Sequence, residues 1–371
     1  MVIDMSQLKR VCVDPVKRTA TLQPGVTTRE LREATCPHGL HFPSGHISDV
    51  GCSGYILGGG NGWGVTLWGA AVDNVDAFEV VLPTQACQPQ VVSHATDPDL
   101  FAGLKGAGAF LGIVTEFHVQ LHPVAPLVPV ITAIYPASLT PQVAALHTRL
   151  MASAPSSVEV SMAFVRAAAA PHDPCIILGA TAFAEPEDTA VQQAFEQIRQ
   201  LLPDQRLVLH DAPLPYLEAL SILDGAWDWP GLCMYGHGMF VEKGALTPEL
   251  LQELEAATSV MGVRSLILIC PGAPPSDKAS SLDFRGGLFL CVYAMWPRTD
   301  AGPAADGDQS HVDWVGRVKE AVGAAVVGLY VNEVMLDQPG QVLHCYKPST
   351  LKRLQILKAR SDPHSLLRKL Q

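Results

Sequence analysis

The stretch Gly51–Gly64, GCSGYILGGGNGWG, is where this sequence concentrates its capacity for binding, because seven of its fourteen residues are glycine, against a usual share of roughly 7 %. Glycine at that density means a backbone that turns through positive φ or lets something approach it closely. Flexible linkers are also glycine-rich but carry serine and charge, whereas this stretch holds Tyr55, Ile56, Leu57 and Trp63. The common phosphate-cradling patterns are not met. No glycine here has glycines both two and five positions later, and no lysine follows as in a Walker loop. Gly51-Cys52-Ser53-Gly54 is one residue short of a hydrolase nucleophile elbow. His237, in Tyr235-Gly236-His237-Gly238, has no second ligand at metal spacing, so no metal site is expected.

Around this block the elements are short. Arg10 to Val13 and Arg18 to Gln23 flank a Pro15 turn and predict a hairpin. Thr27 with Glu30 forms a capping box for a helix to about Cys36, which Gly39 closes. Ala77–Leu82 and Gln90–Ser93 predict a second hairpin through Pro83-Thr84-Gln85, and Asp97-Pro98 starts a short helix. From Ile113 to Leu121 the residues alternate, with Ile113, Thr115, Phe117, Val119 and Leu121 on one face of a strand.

Beyond the Pro-rich stretch Pro123–Pro129 the units lengthen. Strands are predicted at Val158–Val165, Cys175–Phe183, Leu266–Ile269 and Leu288–Met295, and helices at Gln142–Met151, Asp188–Leu202, Pro248–Ala257 and Val312–Ala321. An antiparallel sheet covered on one side by helices is the natural packing, giving an α+β chain. Gly272–Asp283 and Thr299–Asp308 predict exposed loops. The Ala run Ala167–Ala170 is too short to count as low complexity.

The chain has 371 residues, 48 % of them hydrophobic and 16 % charged, enough for two domains with a sizeable core. Its net charge of -11 argues against a nucleic-acid partner, whose phosphates it would repel. No apolar run is long enough for a membrane span. Nine cysteines without metal spacing and the lack of a secretory leader point to reduced thiols in a cytoplasmic setting.

A family comes into view from Val2 to Val124. The motifs Val2-Ile3-Asp4-Met5, Val13-Asp14-Pro15, Gln23-Pro24-Gly25, Pro37-His38-Gly39-Leu40 and Phe42-Pro43-Ser44-Gly45-His46 precede the glycine block. Asp73-Asn74-Val75, Asp97-Pro98-Asp99-Leu100-Phe101, Gly112-Ile113-Val114-Thr115 and Leu121-His122-Pro123 follow it. In this order they resemble the PCMH-type FAD-binding domain of the vanillyl-alcohol oxidase and berberine bridge enzyme superfamily. A C-terminal echo, Tyr330-Val331-Asn332 and then Leu357-Lys358 with Asp362-Pro363, resembles the berberine-bridge tail. Ser365 and Leu367 depart from it, standing where relatives place Asn and Phe.

The resemblance implies an FAD-binding domain over residues 1–124, a substrate-binding domain over 125–339 and a tail over 340–371 that returns to the flavin domain. It implies an oxidase of an alcohol, amine or C–H bond in a small molecule, with oxygen as acceptor; the other reading is a non-catalytic remnant or binding protein. Gly45, His46, Ser48, Asp49, Val50, Gly51, Cys52, Gly54 and Tyr55 would lie along the cofactor, with Ile113 and Val114 against the adenine or ring and Asn332 close to the flavin. Tyr330 would face substrate as the base, which requires a lowered pKa. Many relatives tether the flavin through a Cys at the position of Ile47, so any flavin here is expected to be noncovalent. Cys52, five residues on, is expected to be a packing cysteine. Relatives begin with a further portion that holds the pyrophosphate; this chain starts after it, at an expected strand Val2–Met5, so weak FAD binding is expected of the chain as it stands.

Overall fold

The computed structural model describes residues 3–84, 87–166, 173–184, 188–226, 231–262, 264–298, 306–335, 340–367 and 370. Val2, Gln85 and the Ala167–Ala170 run lie outside the described residues.

The first unit is a five-stranded antiparallel sheet in the order β1-β2-β6-β4-β5. Its strands are β1 (Val11–Asp14), β2 (Thr19–Leu22), β4 (Val75–Val81), β5 (Pro89–Ser93) and β6 (Ile113–Gln120); β3 (Leu40–His41) pairs separately with β7 (His122–Pro123). Both expected hairpins form. Helix α1 (Thr28–Thr35) starts with Thr27 and Glu30 in reciprocal capping bonds, and Gly39 ends the following turn at φ 62°. The glycine block folds into two short helices, α2 (Cys52–Leu57) and α3 (Val65–Trp68). Helix α4 (Pro98–Ala107) is capped by Asp97.

Three local expectations fail. Ile3–Met5 adopts no strand; instead Leu8 N–H bonds to Met5 O and Gly25 N–H to Leu8 O. The alternation of β6 breaks at its start, because Glu79 pairs with Glu116 but Val80 with Val114. The resulting bulge at Thr115 re-aims the strand, so Val114, not Ile113, is buried together with Phe117 and Val119. Gly272–Asp283 is exposed only in its middle. Ser281 is buried, with its N–H on Lys105 O and its hydroxyl on Ala102 O.

The second unit is an eight-stranded antiparallel sheet ordered β11-β8-β10-β9-β13-β14-β12-β15. Its strands are β8 (Leu127–Pro136), β9 (Val158–Val165), β10 (Cys175–Ala182), β11 (Val208–Pro215), β12 (Leu232–Val241), β13 (Leu266–Pro271), β14 (Leu288–Pro297) and β15 (Val326–Leu329). Strands β8, β11, β12 and β15 were not anticipated. Prolines mask β8 and β11, and Gly236 and Gly238 interrupt the apolar pattern of β12. Helices α5 (Thr140–Ser153), α6 (Thr189–Leu201), α8 (Pro248–Ser259) and α9 (Asp306–Val322) follow the expected order, with α7 (Tyr216–Ala219) between β11 and β12. Residues 306–308, expected in a loop, belong to α9; 299–305 lie outside the described residues.

Side chains alternate across this sheet. Ile131, Val160, Met162, Leu178, Ile267 and Val292 are buried in the core that the helices close. The opposite face of the same strands lines the cavity described below. Helix α10 (Pro348–Ser361) lies on α4: Lys358 donates to Phe110 O and Arg360 pairs with Asp97. Leu354 and Leu357 sit over Gly103, where a methyl group would meet Leu357 Cδ1 at 2.7 Å.

Candidate functional site: a glycine-walled cavity between two sheets

A cavity of about 1220 Å³ opens between the glycine block and the bare face of the eight-stranded sheet. That exceeds the roughly 300–1,000 Å³ usual for a single small ligand, so a large cofactor ring and a substrate can share it. One wall comes from the first unit, through Gly45, His46, Ile47, Val50, Gly51, Gly54 and Tyr55, with Asn61 and Trp63 beside them. The floor is mostly apolar, from Val130, Ile134, Val165, Ile177, Leu266 and Leu268, with the hydroxyls of Thr132, Ser161 and Thr181 among them.

Two glycines of this wall have no structural need to be glycine. Gly51 has φ -69°, which any residue adopts, and a methyl group on Gly51 or Gly54 would meet nothing within 4 Å. Their smallness keeps the wall flat toward the cavity. Gly60 and Gly62 differ, because methyl groups there would strike Ala71 and the Ser44 carbonyl. Three polar atoms of the wall, Tyr55 Oη, Asn61 Oδ1 and Trp63 Nε1, are buried without a hydrogen-bond partner among the described residues. Buried polar atoms are costly without partners, and these await a ligand. A flat wall with unspent donors and acceptors fits a flavin ring.

The loop Phe42–Ser48 is held from beneath by Arg32 of α1. Its guanidinium is buried and donates to Ser44 Oγ, Ser48 Oγ, Gly45 O and Leu220 O. Burial lowers its pKa, and the neutral acceptors leave it without a directly bonded carboxylate. His46 lies edge-on to Trp63, with ring centroids 4.7 Å apart, and burial holds it neutral by pushing its pKa down to about 4.

Of the residues expected along the cofactor, Gly45, His46, Val50, Gly51, Gly54, Tyr55 and Asn332 line the cavity, as does Tyr330. Ser48, Asp49, Cys52, Ile113 and Val114 lie outside its wall. Ser48 N–H is already bonded to Asp224 Oδ1, and Asp49 pairs with Arg29 at the surface. Cys52 is buried in the core, its N–H on Val26 O and its thiol pKa pushed up to about 12 by burial. Ile113 and Val114 sit in the five-stranded sheet.

After β15 a single turn, Val331–Glu333, crosses from the second unit to the glycine wall. The Tyr330 hydroxyl accepts from Gly60 N–H at 3.0 Å and Asn332 Nδ2 at 3.1 Å. Asn332 Nδ2 also lies 2.9 Å from Gly54 O. Burial, reinforced by nearby Glu333, raises the Tyr330 pKa well above that of a free phenol, so the phenol stays protonated near neutral pH. Sequence reasoning missed Arg32, Asn61 and Glu333. Asn61 stood inside the glycine block; Arg32 and Glu333 carry no sequence signal, being an arginine in a capped helix and the residue after Asn332. His237, set aside as a ligand, is buried on β12 with its pKa pushed down to about 4 by burial. No group of three potential metal ligands occurs among the described residues.

Comparison with known proteins matches residues 1–86 to an FAD binding domain. An FAD-linked oxidoreductase of Dictyostelium discoideum is 25 % identical over 370 residues, covering 98 % of this chain and 77 % of the relative. Berberine bridge enzyme-like 24 of Arabidopsis thaliana is 36 % identical over 137 residues, 36 % of this chain and 24 % of its own length. Among solved structures, berberine bridge enzyme-like 1 of Physcomitrella patens has a TM-score of 0.83 at 16 % identity, over 99 % of this chain and 80 % of that one. The 6-hydroxy-D-nicotine oxidase of Arthrobacter nicotinovorans has 0.82 at 19 %, over 99 % and 81 %. These matches bear out the resemblance to the vanillyl-alcohol oxidase and berberine bridge enzyme-like proteins; the chain is an FAD-dependent oxidoreductase, and FAD is its cofactor.

Proposed function

We propose that this chain oxidises an alcohol, amine or C–H donor on a small organic molecule and passes the electrons to oxygen, with its FAD held noncovalently. The observation that carries the reading is the wall at Gly51 and Gly54, flat for no structural reason, facing a cavity large enough for a ring and a substrate. Bound FAD supplies the two-electron acceptor. The chain's own residues bind and orient. Gly51 and Gly54 let a planar group approach the backbone, and Tyr55, Asn61 and Trp63 offer it polar atoms.

Because Tyr330 Oη already accepts two hydrogen bonds, its proton is the one left to donate. With its pKa raised, Tyr330 orients a substrate oxygen or nitrogen as a hydrogen-bond donor, a different role from the base expected of it. Behind that wall the two units are joined by Arg32 donating to Leu220 O and Ser48 N–H donating to Asp224 Oδ1.

The test is titration of the purified chain with FAD, followed by anaerobic addition of candidate donors and then readmission of oxygen. Bleaching of the flavin band by a donor, and its return with hydrogen peroxide release, is the expected result. Failure of any flavin absorbance to appear on the protein at saturating FAD overturns the reading.

A further inference from the structure

Resting on the proposed oxidation at this cavity, we infer that the substrate is a hydrophobic amine whose nitrogen is anchored by Glu333, at the seam between the glycine wall and the apolar sheet floor. Glu333 is the one acidic residue lining the cavity among the described residues. It lies on the turn that carries Tyr330 and Asn332 to the glycine block, so its carboxyl sits where the part of a substrate nearest that wall must lie.

Its place is built. Glu333 Oε2 is enclosed and has no hydrogen-bond partner among the described residues. It occupies space that Gly238 leaves open, since a methyl group on Gly238 would come within 2.5 Å of that oxygen. The backbone is tied down on both sides, with Tyr330 N–H on Gly238 O and Glu333 N–H on Tyr330 O, each at 2.9 Å. Burial raises the carboxyl pKa, while side-chain hydrogen bonds from Tyr293 and Cys291 act in the other direction.

The oxygen that those two bonds leave unpaired, Oε2, is best satisfied by a cationic donor, because charge-assisted bonds are the strong ones. The rest of the substrate is read from the floor. Val130, Ile134, Val165, Ile177, Leu266 and Leu268 present hydrocarbon against the three hydroxyls of Thr132, Ser161 and Thr181, which favours a skeleton richer in hydrocarbon than a sugar. An anionic substrate would meet the Glu333 carboxyl. Two arginines border the cavity: Arg264 is exposed, and Arg166 donates to Ser259 O through Nη2 while its Nε has no partner among the described residues, so the acid probe below tests whether Arg166 outweighs Glu333.

The experiment is calorimetric titration at mildly alkaline pH with four probes: 2-(1-naphthyl)ethylamine, its neutral analogue 2-(1-naphthyl)ethanol, 1-naphthaleneacetic acid and xylobiose. The amine is expected to bind about tenfold or more tighter than the alcohol, the worth of one charge-assisted hydrogen bond. Glu333→Gln should abolish that preference while leaving alcohol binding unchanged, and Glu333→Asp, too short to reach, should reduce it. Thermal melts confirm that each variant is folded; should Glu333→Gln fail to fold, the four-probe ranking on the wild type and Glu333→Asp decide. Equal binding of amine and alcohol, a preference retained in Glu333→Gln, or tighter binding of the acid or the sugar overturns the inference. FAD titration of the same samples is read separately, so loss of flavin binding counts against the proposed function and loss of amine preference against Glu333.

Discussion

The Arg285 guanidinium grips both carboxylate oxygens of Asp73, at 2.8 and 3.0 Å, with the two side chains only 10 % and 5 % exposed. Asp73 precedes β4 in the first unit and Arg285 lies between β13 and β14 in the second, so this pair clamps the two together. Lys278 Nζ adds a bond to Asp73 O.

Removing one partner from such a buried pair strands the other charge. Asp73→Ala is expected to lower the free energy of unfolding by about 3 kcal/mol or more, measured by urea titration. Combining it with Arg285→Met should recover part of the loss. If Asp73→Ala unfolds at the wild-type urea midpoint, the pair is not the clamp.

Gly51→Val and Gly54→Val separate ligand space from packing. Both side chains would enter the cavity, so folding should be nearly unchanged while FAD affinity falls about tenfold or more through steric overlap. Gly62→Ala should instead destabilise the fold, because its methyl meets the Ser44 carbonyl and Tyr55 Oη. Thermal melts and flavin titration on the same proteins check both halves. Unaltered flavin binding in Gly51→Val would move the cofactor off this wall.

Glu159 of β9 reaches into the first unit, where its Oε1 accepts from Thr66 N–H at 3.0 Å and Thr66 Oγ1 at 3.2 Å. Burial pushes its pKa up from 4.5 to about 7. Below the unfolded value both states hold the proton. Above it the unfolded chain ionises first, so this residue costs stability as pH rises toward about 7. Glu159→Gln keeps an acceptor for Thr66 and does not titrate. Its stability relative to wild type should therefore grow over that window, by on the order of 3 kcal/mol at the top. A difference that is flat with pH would refute the assignment.

His41 acts with the opposite sign. It lies between the units, with Nε2–H donating to Trp63 O at 3.1 Å and Nδ1 accepting from Tyr216 Oη–H at 2.6 Å. Burial pushes its pKa down from 6.5 to about 3, so its contribution is present above pH 6.5 and lost as pH falls toward 3. Tyr216→Phe leaves the Nδ1 lone pair unsatisfied and should cost about 1–3 kcal/mol at pH 7, read from denaturant midpoints.

Ile47 stands in the cavity wall with only hydrocarbon to offer. Flavin loaded onto the protein should be released in full by acid precipitation, leaving a colourless pellet. A yellow, fluorescent pellet would mean that another side chain forms the tether.

The sequence by itself determined what local chemistry can specify. The Thr27–Glu30 box, the Asp97-Pro98 start, both hairpins and the apolar strands of the second unit are short-range patterns, and each formed near its expected place. So did the density of glycine between Gly51 and Gly64, although not which of those glycines face a ligand. Only the tertiary structure distinguished Gly51 and Gly54, which open on the cavity, from Gly62, which packs against the backbone.

Tertiary structure also decided the bulge at Thr115, because register depends on the partner strand, and the burial of Ser281, because a Pro- and Ser-rich segment reads as a loop until something docks on it. Arg32 and Glu333 were invisible for the same reason. Their partners, Leu220 for one and Gly238 for the other, lie 188 and 95 residues away along the chain, and a side chain's role inside a cavity depends on neighbours that only folding brings to it.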